Sequence, residues 1–297
     1  MKDAAVPAAH AESSRTFSDY IALTKPRLNV LVVATSAAGY YLGATAPLNA
    51  AAFVATVLGT ALVAGGAAAL NQVYERDTDA LMMRTRMRPL PNGRVTPADA
   101  RVFGGLLSIA GLALLTAFST WIASLLALAT LLIYLCIYTP LKRRSPAATI
   151  VGAVPGALPP LIGWAASHGN LSWGGLALFL IVFFWQIPHF MAIAWMYRDD
   201  YGAAGFPMLP VIDPAGHRAG RQAVGYAAAL LPTSLVPTIV NLSGNVYGIL
   251  AAVLGVALLV LSIRFARTRT NATARDLFIA SLVYLPLIWI VMIVDKR

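Results

Sequence analysis

Apolar stretches of about 20 residues, each long enough to cross a bilayer as a helix, recur from near residue 28 to near residue 294 and use up nearly the whole chain. A chain written this way has little choice of fold. In hydrocarbon every backbone N–H and C=O must be paired, and a helix does so within a single segment. The sequence therefore predicts an all-α, polytopic membrane protein with nine spans, near 28–46, 50–70, 102–119, 121–138, 148–166, 172–196, 223–241, 246–263 and 276–294. The third and fourth are separated only by a short Ser-Thr step before Trp121. Charged residues make up 11% of the chain, against roughly a quarter in a soluble domain, which leaves no room for a separate soluble domain.

The connections alternate. Those after spans one, three, five and seven (ATAPLN, ST, SHGNLS, LSGN) contain no Lys or Arg, and of the 22 Lys and Arg only Lys296 and Arg297 fall on that side. Basic loops stay cytoplasmic. The expectation is a bacterial-type inner-membrane protein with its N-terminus in the cytoplasm and its C-terminus on the outer side. The net charge of +10 then reports orientation in a lipid bilayer, not nucleic-acid binding. Residues 1–20 read as a flexible cytoplasmic tail without the apolar core of a cleaved signal peptide, and residues 21–297 as the intramembrane domain. The single cysteine, Cys136, excludes an intrachain disulfide and a cysteine metal cluster.

Against this background the segment from Asn71 to Arg94, NQVYERDTDALMMRTRMRPLPNGR, stands apart. It follows a charge-free run and places an amide and three carboxylates within nine residues. Asn71, Glu75 and Asp79 are spaced i, i+4, i+8, so a helix continuing through them stacks them on one face. Asp77 falls on another face and is a further candidate in the same segment. Oxygen ligands on one face suit a hard cation such as Mg²⁺, which is usually shared with substrate phosphates. Downstream, Arg84, Arg86, Arg88 and Arg94 suit phosphate oxygens. A solvated helix end whose acids pair with nearby arginines is the alternative reading of the same residues.

A second polar segment follows span six. It opens with Tyr197, Arg198, Asp199, Asp200 and Tyr201 and runs through Gly and Pro to Arg218 and Arg221. The same acid-then-arginine order four spans later suggests two related loops around one cavity. His189 lies in an otherwise apolar helix beside Pro188. A lone histidine there is a satisfied core residue or a ligand, and the residues alone leave both open.

These motifs resemble the UbiA intramembrane prenyltransferase superfamily, and within it most closely the heme-farnesylating branch. The likeness rests on TKPR at 24–27, NQVYERDTDALMMRTRMRPLP at 71–91, YTPLKRRSP at 138–146, GAVPGALPPLIGW at 152–164, WQIPHF at 185–190 and YRDDYGAAGFPMLP at 197–210. It covers the chain from about residue 20 onward. The resemblance implies a helical bundle with a central cavity open to the cytoplasmic side, where two Asp-rich segments hold Mg²⁺ and a prenyl diphosphate. It implies farnesyl diphosphate and heme b as substrates: farnesyl is transferred to the 2-vinyl group with addition of water, giving heme o and diphosphate. Carried onto this chain, Asn71, Glu75, Asp79 and Asp200 hold metal, and Arg84, Arg88, Lys142, Arg143 and Arg27 face the diphosphate. The second segment departs from the superfamily's Asp-x-x-x-Asp, since Tyr197 and Tyr201 stand at its ends with Asp199 and Asp200 between. Because the implied acceptor contains iron, His189 becomes a candidate heme ligand. A terminal oxidase or its assembly factors is the implied partner for the product. The alternatives are a prenyltransferase for an aromatic acid or chlorophyll-type acceptor, and a transporter, which would place its polar site near the bilayer midplane and not at one edge.

Overall fold

The computed structural model describes residues 16–45 and 47–297, and the described part is helical nearly throughout. In chain order the helices are α1 (Phe17–Leu23), α2 (Pro26–Gly43), α3 (Ala50–Asp79), α4 (Pro97–Phe118) and α5 (Trp121–Leu132). The last continues through a π-helical turn (Ile133–Tyr138) into α6 (Thr139–Leu141). There follow α7 (Ala148–His168), α8 (Trp173–Met196), α9 (Arg198–Ala203), α10 (Leu209–Ile212), α11 (His217–Thr233), α12 (Val236–Ile239), α13 (Asn245–Thr268) and α14 (Asn271–Val294).

The helix starts are set by capping side chains, as expected where orphan N–H groups need an acceptor. Asn49, Thr96 and Thr120 accept from the backbone N–H of Ala52, Asp99 and Ala123. Thr120 thereby makes the break before Trp121 a true helix boundary. Gly169 ends α7 in the left-handed region at φ 79, where a residue without Cβ carries no steric cost.

Seven helices are long and apolar enough to cross a membrane: α3, α4, the continuous Trp121–Leu141 rod, α7, α8, α13 and α14. Two of the nine expected spans fall short. The first, α2, reaches 18 residues but carries Arg27 and Asn29 in its opening turn. The seventh is divided, because α11 stops after 17 residues just beyond Pro232 and the chain turns at Ser234 before α12. Residues 1–15 of the expected tail lie outside the described residues. The rest of it is not tail-like: Phe17 to Tyr20 are helical, Asp19 pairs with Arg94 at 2.7 Å and Tyr20 packs edge-on against Phe103.

Contacts between loops define two ends of the bundle. At one end Lys25 reaches Asn71, Lys142 reaches Glu75, the Met83 N–H reaches Asp200 and Arg198 reaches Asn271. At the other, Lys296 donates to the carbonyls of Tyr41 and Ala44, and the His168 ring meets the Gly43 carbonyl. Between them α2 and α7 cross with no side chain separating their backbones. A methyl on Gly39 would run into the Pro160 carbonyl and one on Gly163 into that of Ser36. Small residues allow this approach, which is how helices associate where lipid gives no hydrophobic drive.

Candidate active site

α3 does not stop where its apolar run stops. It continues to Asp79 and so realises the shared face: Asn71, Glu75 and Asp79 are 1%, 6% and 0% exposed. Asp77 is exposed on the opposite side of the same turn, so it belongs to the surface and not to this face.

Carboxylates this far from water need partners, and each ligand-type side chain is met by a cation from a different element. Lys142, following α6, donates to Glu75 Oε1 at 3.0 Å. Arg88, from the loop after α3, donates to Asp79 Oδ2 at 2.6 Å. Lys25, between α1 and α2, donates to Asn71 Oδ1 at 3.3 Å, while Asn71 Nδ2 donates to Thr139 Oγ1 at 3.1 Å. Asp79 Oδ1 is buried without a hydrogen-bond partner. An unpaired buried carboxylate oxygen is costly to leave unmade; together with the oxygens of Asn71 and Glu75 it makes a donor set that fits a hard divalent cation. Among the described residues no three His, Cys, Asp or Glu side chains converge on a metal-binding group, so any such ion would rest on two carboxylates, the amide and substrate oxygens.

Two of the cations are unusual. Lys25 holds a left-handed backbone, φ 49 and ψ 57, a conformation rare outside glycine and found where the surroundings impose it. Burial and the nearby Arg88 push its ammonium down to about 8. For Lys142 burial also works against the charge, but Tyr138 and Glu75 beside it prevail and hold the ammonium above the ordinary lysine value. Lys142 also sits 4.6 Å over the Phe206 ring.

The π turn explains how Lys142 arrives. One extra residue per turn re-aims the end of the rod, and Thr139 Oγ1 ties back to the Tyr134 carbonyl at 2.7 Å. Tyr134 and Tyr138 stack at 5.3 Å within the same turn. Sequence reasoning passed over Lys25, Tyr134, Tyr138, Thr139 and Phe206. The TKPR and YTPLK motifs contain three of them, but no spacing rule brings these segments to α3.

The second loop closes against the first. Asp200 Oδ1 accepts from the Met83 N–H at 3.3 Å, Arg84 lies 5.6 Å over the Tyr197 ring, and Met82, Ala204 and Phe206 form an apolar cluster with Tyr201 packed on it. Asp200, expected among metal ligands, is thus engaged in joining the loops. Asp199, Arg27 and Arg143 are exposed and are not drawn into the acid cluster.

His189 lies elsewhere on α8, facing α14. Its ring is stacked between Trp185 at 4.9 Å and Phe278 at 5.1 Å, and Nδ1 is 2.8 Å from Ser281 Oγ. The Ser281 hydroxyl already donates to the Phe278 carbonyl at 2.6 Å. Nδ1 therefore donates to Ser281, and in the neutral ring Nε2 keeps its lone pair. A groove of about 510 Å³ lies between α8 and α11 and is lined by Phe183, Phe184, Tyr226, Arg218 and Arg221. It contains no acid.

Residues 32–286 match the model of the UbiA prenyltransferase family. The chain is 45% identical over 287 residues to the protoheme IX farnesyltransferase of Solibacter usitatus strain Ellin6076, covering 94% of this chain and 98% of that protein. It is 48% identical to that of Opitutus terrae, covering 96% of each. Among solved structures, digeranylgeranylglyceryl phosphate synthase shares the fold with TM-score 0.81 at 17% identity, covering 94% of this chain and 97% of that one. A UbiA homolog from Archaeoglobus fulgidus bound to GPP and Mg²⁺ superposes with TM-score 0.66 at 17% identity, covering 92% and 99%.

Proposed function

This chain belongs to the UbiA prenyltransferase family, and from that premise we propose how its own residues transfer a farnesyl group to protoheme IX. The enzyme is a membrane prenyltransferase of heme o biosynthesis. In the reaction the C1–O bond of farnesyl diphosphate breaks and its electron pair leaves with diphosphate. The terminal carbon of the 2-vinyl group bonds to C1. Water adds to the cation left beside the pyrrole, loses a proton and gives the hydroxyethylfarnesyl arm.

The observation that carries this reading is the buried face of Asn71, Glu75 and Asp79, opposed by Lys25, Lys142 and Arg88. Asn71, Glu75 and Asp79 would hold Mg²⁺, which when bound supplies charge that stabilises the departing diphosphate. Lys25, Lys142 and Arg88 bind diphosphate oxygens directly. Their charge is already in place before the bond breaks, so stabilising the leaving polyanion needs little reorganisation. Arg84 sits over Tyr197 at the junction of the loops and extends the same anion site. The stacked pair Tyr134 and Tyr138 offers ring faces to the allylic cation, and Met82, Phe206 and Tyr201 exclude water above it. His189, its Nδ1 proton held by Ser281, presents Nε2 to heme iron.

The acid-bearing end faces the cytoplasm, because the basic loops gather there. In that arrangement α2 and the divided α11–α12 complete nine crossings, and the C-terminus lies on the outer side. The heme o product passes to a terminal oxidase or its assembly factors.

The test is incubation of the purified chain with heme b, farnesyl diphosphate and Mg²⁺, followed by mass analysis of extracted heme. The expected product carries the hydroxyethylfarnesyl arm, and an aromatic-acid acceptor in place of heme gives none. Prenylation of the aromatic acid but not of heme overturns the assignment of the acceptor.

A further inference from the structure

Below the acid cluster α3 keeps one inward face for several turns. Ala67, Ala64 and Thr60 precede Asn71 on it, and with Val32 of α2, Thr130 of α5 and Ile162 of α7 they line a narrow cavity of about 30 Å³. Thr130 lies one turn before Tyr134, whose own turn leads to Thr139 and Lys142. Two rods therefore run side by side from the diphosphate end to this cavity, so it lies at the foot of the site.

On the side away from the acids the α3 lining ends at Thr60, whose Oγ1 is 3.2 Å from Ser36 Oγ, both residues being buried. One turn further, Tyr40 meets Phe53 edge-on at 5.4 Å. The contact of Gly163 with the Ser36 carbonyl holds α2 and α7 together at this level, so the floor cannot drop by the helices parting.

We propose that the Ser36–Thr60 pair is the floor of the donor's hydrocarbon channel and limits the transferred group to fifteen carbons. The proposal rests on the reading that the diphosphate docks at Asn71, Glu75 and Asp79. The eleven residues from Thr60 to Asn71 span about 16 Å at 1.5 Å each. An extended chain advances about 1.25 Å per carbon–carbon bond, from bond lengths near 1.5 Å and angles near 111°. The eleven main-chain bonds of farnesyl then need about 14 Å, the seven of geranyl about 9 Å and the fifteen of geranylgeranyl about 19 Å. By length alone farnesyl stays within this span and geranyl ends short of Thr60, whereas geranylgeranyl exceeds it. A donor that starts in lipid gains almost nothing from entering an apolar pocket, so length is selected by the wall it meets.

The experiment measures Mg²⁺-dependent binding of geranyl, farnesyl and geranylgeranyl diphosphate to the purified full chain, together with the mass of the heme product from each. Wild type favours farnesyl. Thr60→Leu raises the floor and shifts the geranyl-to-farnesyl preference by about tenfold or more, the scale on which a pocket reads methylenes. The Ser36→Ala/Thr60→Ala double variant lowers it and raises geranylgeranyl use by a similar factor. The double variant adds no bulk, so it keeps the test decisive if Thr60→Leu fails to insert. Wild-type binding with an unmoved length order in the inserted variants overturns the floor alone. Wild type that binds none of the three in a Mg²⁺-dependent way overturns the docking reading and the floor with it.

Discussion

The loop after α3 and the loop after α8 look alike in sequence and behave differently in space. In the first, Glu75 and Asp79 lie with Asn71 on a continuous helix, are buried, and each of the three has a cation of its own. In the second, a turn at Tyr197 breaks the helix, Asp199 faces outward and Asp200 is spent on a backbone N–H of the first loop. The difference teaches that acids become buried and cation-paired when a rigid element carries them into the bundle, whereas on a short helix of six residues the same residue types join one loop to the other.

That contrast can be broken experimentally. Glu75→Ala or Asp79→Ala should lower heme o formation by about 10³-fold in protein that still inserts, and chelation of divalent metal should do the same to wild type until Mg²⁺ is restored. Normal turnover in either variant would end the assignment of this face. Lys142→Met should cost about 10²-fold in kcat/KM with farnesyl diphosphate; an effect confined to thermal stability would make the lysine a mere counter-ion to Glu75. His189→Ala should weaken heme binding about tenfold, the lower end of what disturbing a metal ligand costs, while donor binding is kept. An unchanged heme spectrum would return the residue to the core. Asp200→Ala removes one hydrogen bond between the loops, worth about 1 kcal/mol, and should reduce turnover about fivefold. A loss as large as that of Asp79→Ala would put both loops on an equal footing. Smallest of all, Asp77→Ala and Asp199→Ala should stay within about twofold, as exposed substitutions do.

Much of this was readable from the chain. Hydrocarbon permits few backbone solutions, so the apolar runs predict helices, and the i, i+4, i+8 spacing correctly puts Asn71, Glu75 and Asp79 together while sending Asp77 away. Other features were hidden for physical reasons. The π turn before Thr139 leaves no compositional mark, so spacing alone could not bring Tyr138 and Lys142 to the acids, and Lys142 is a candidate only through the family resemblance. The left-handed Lys25 occupies a conformation that its residue type disfavours. The expected seventh span divides at Ser234 inside a run whose hydropathy continues, and α2 opens with the polar Arg27 and Asn29. Arg27 and Arg143 are exposed at the rim, and charge there says nothing about which way a long side chain leans.

The length of α3 has one more implication. Its 30 residues extend about 45 Å at 1.5 Å per residue, well past the roughly 30 Å of bilayer hydrocarbon. The terminal turns therefore stand at headgroup depth, where phosphates already reside. An isoprenoid diphosphate dissolved in the leaflet has its charged end at that height before it meets the protein. Capture can then proceed as a sideways slide at constant depth, and neither the charged end nor the greasy tail has to change solvent on the way in.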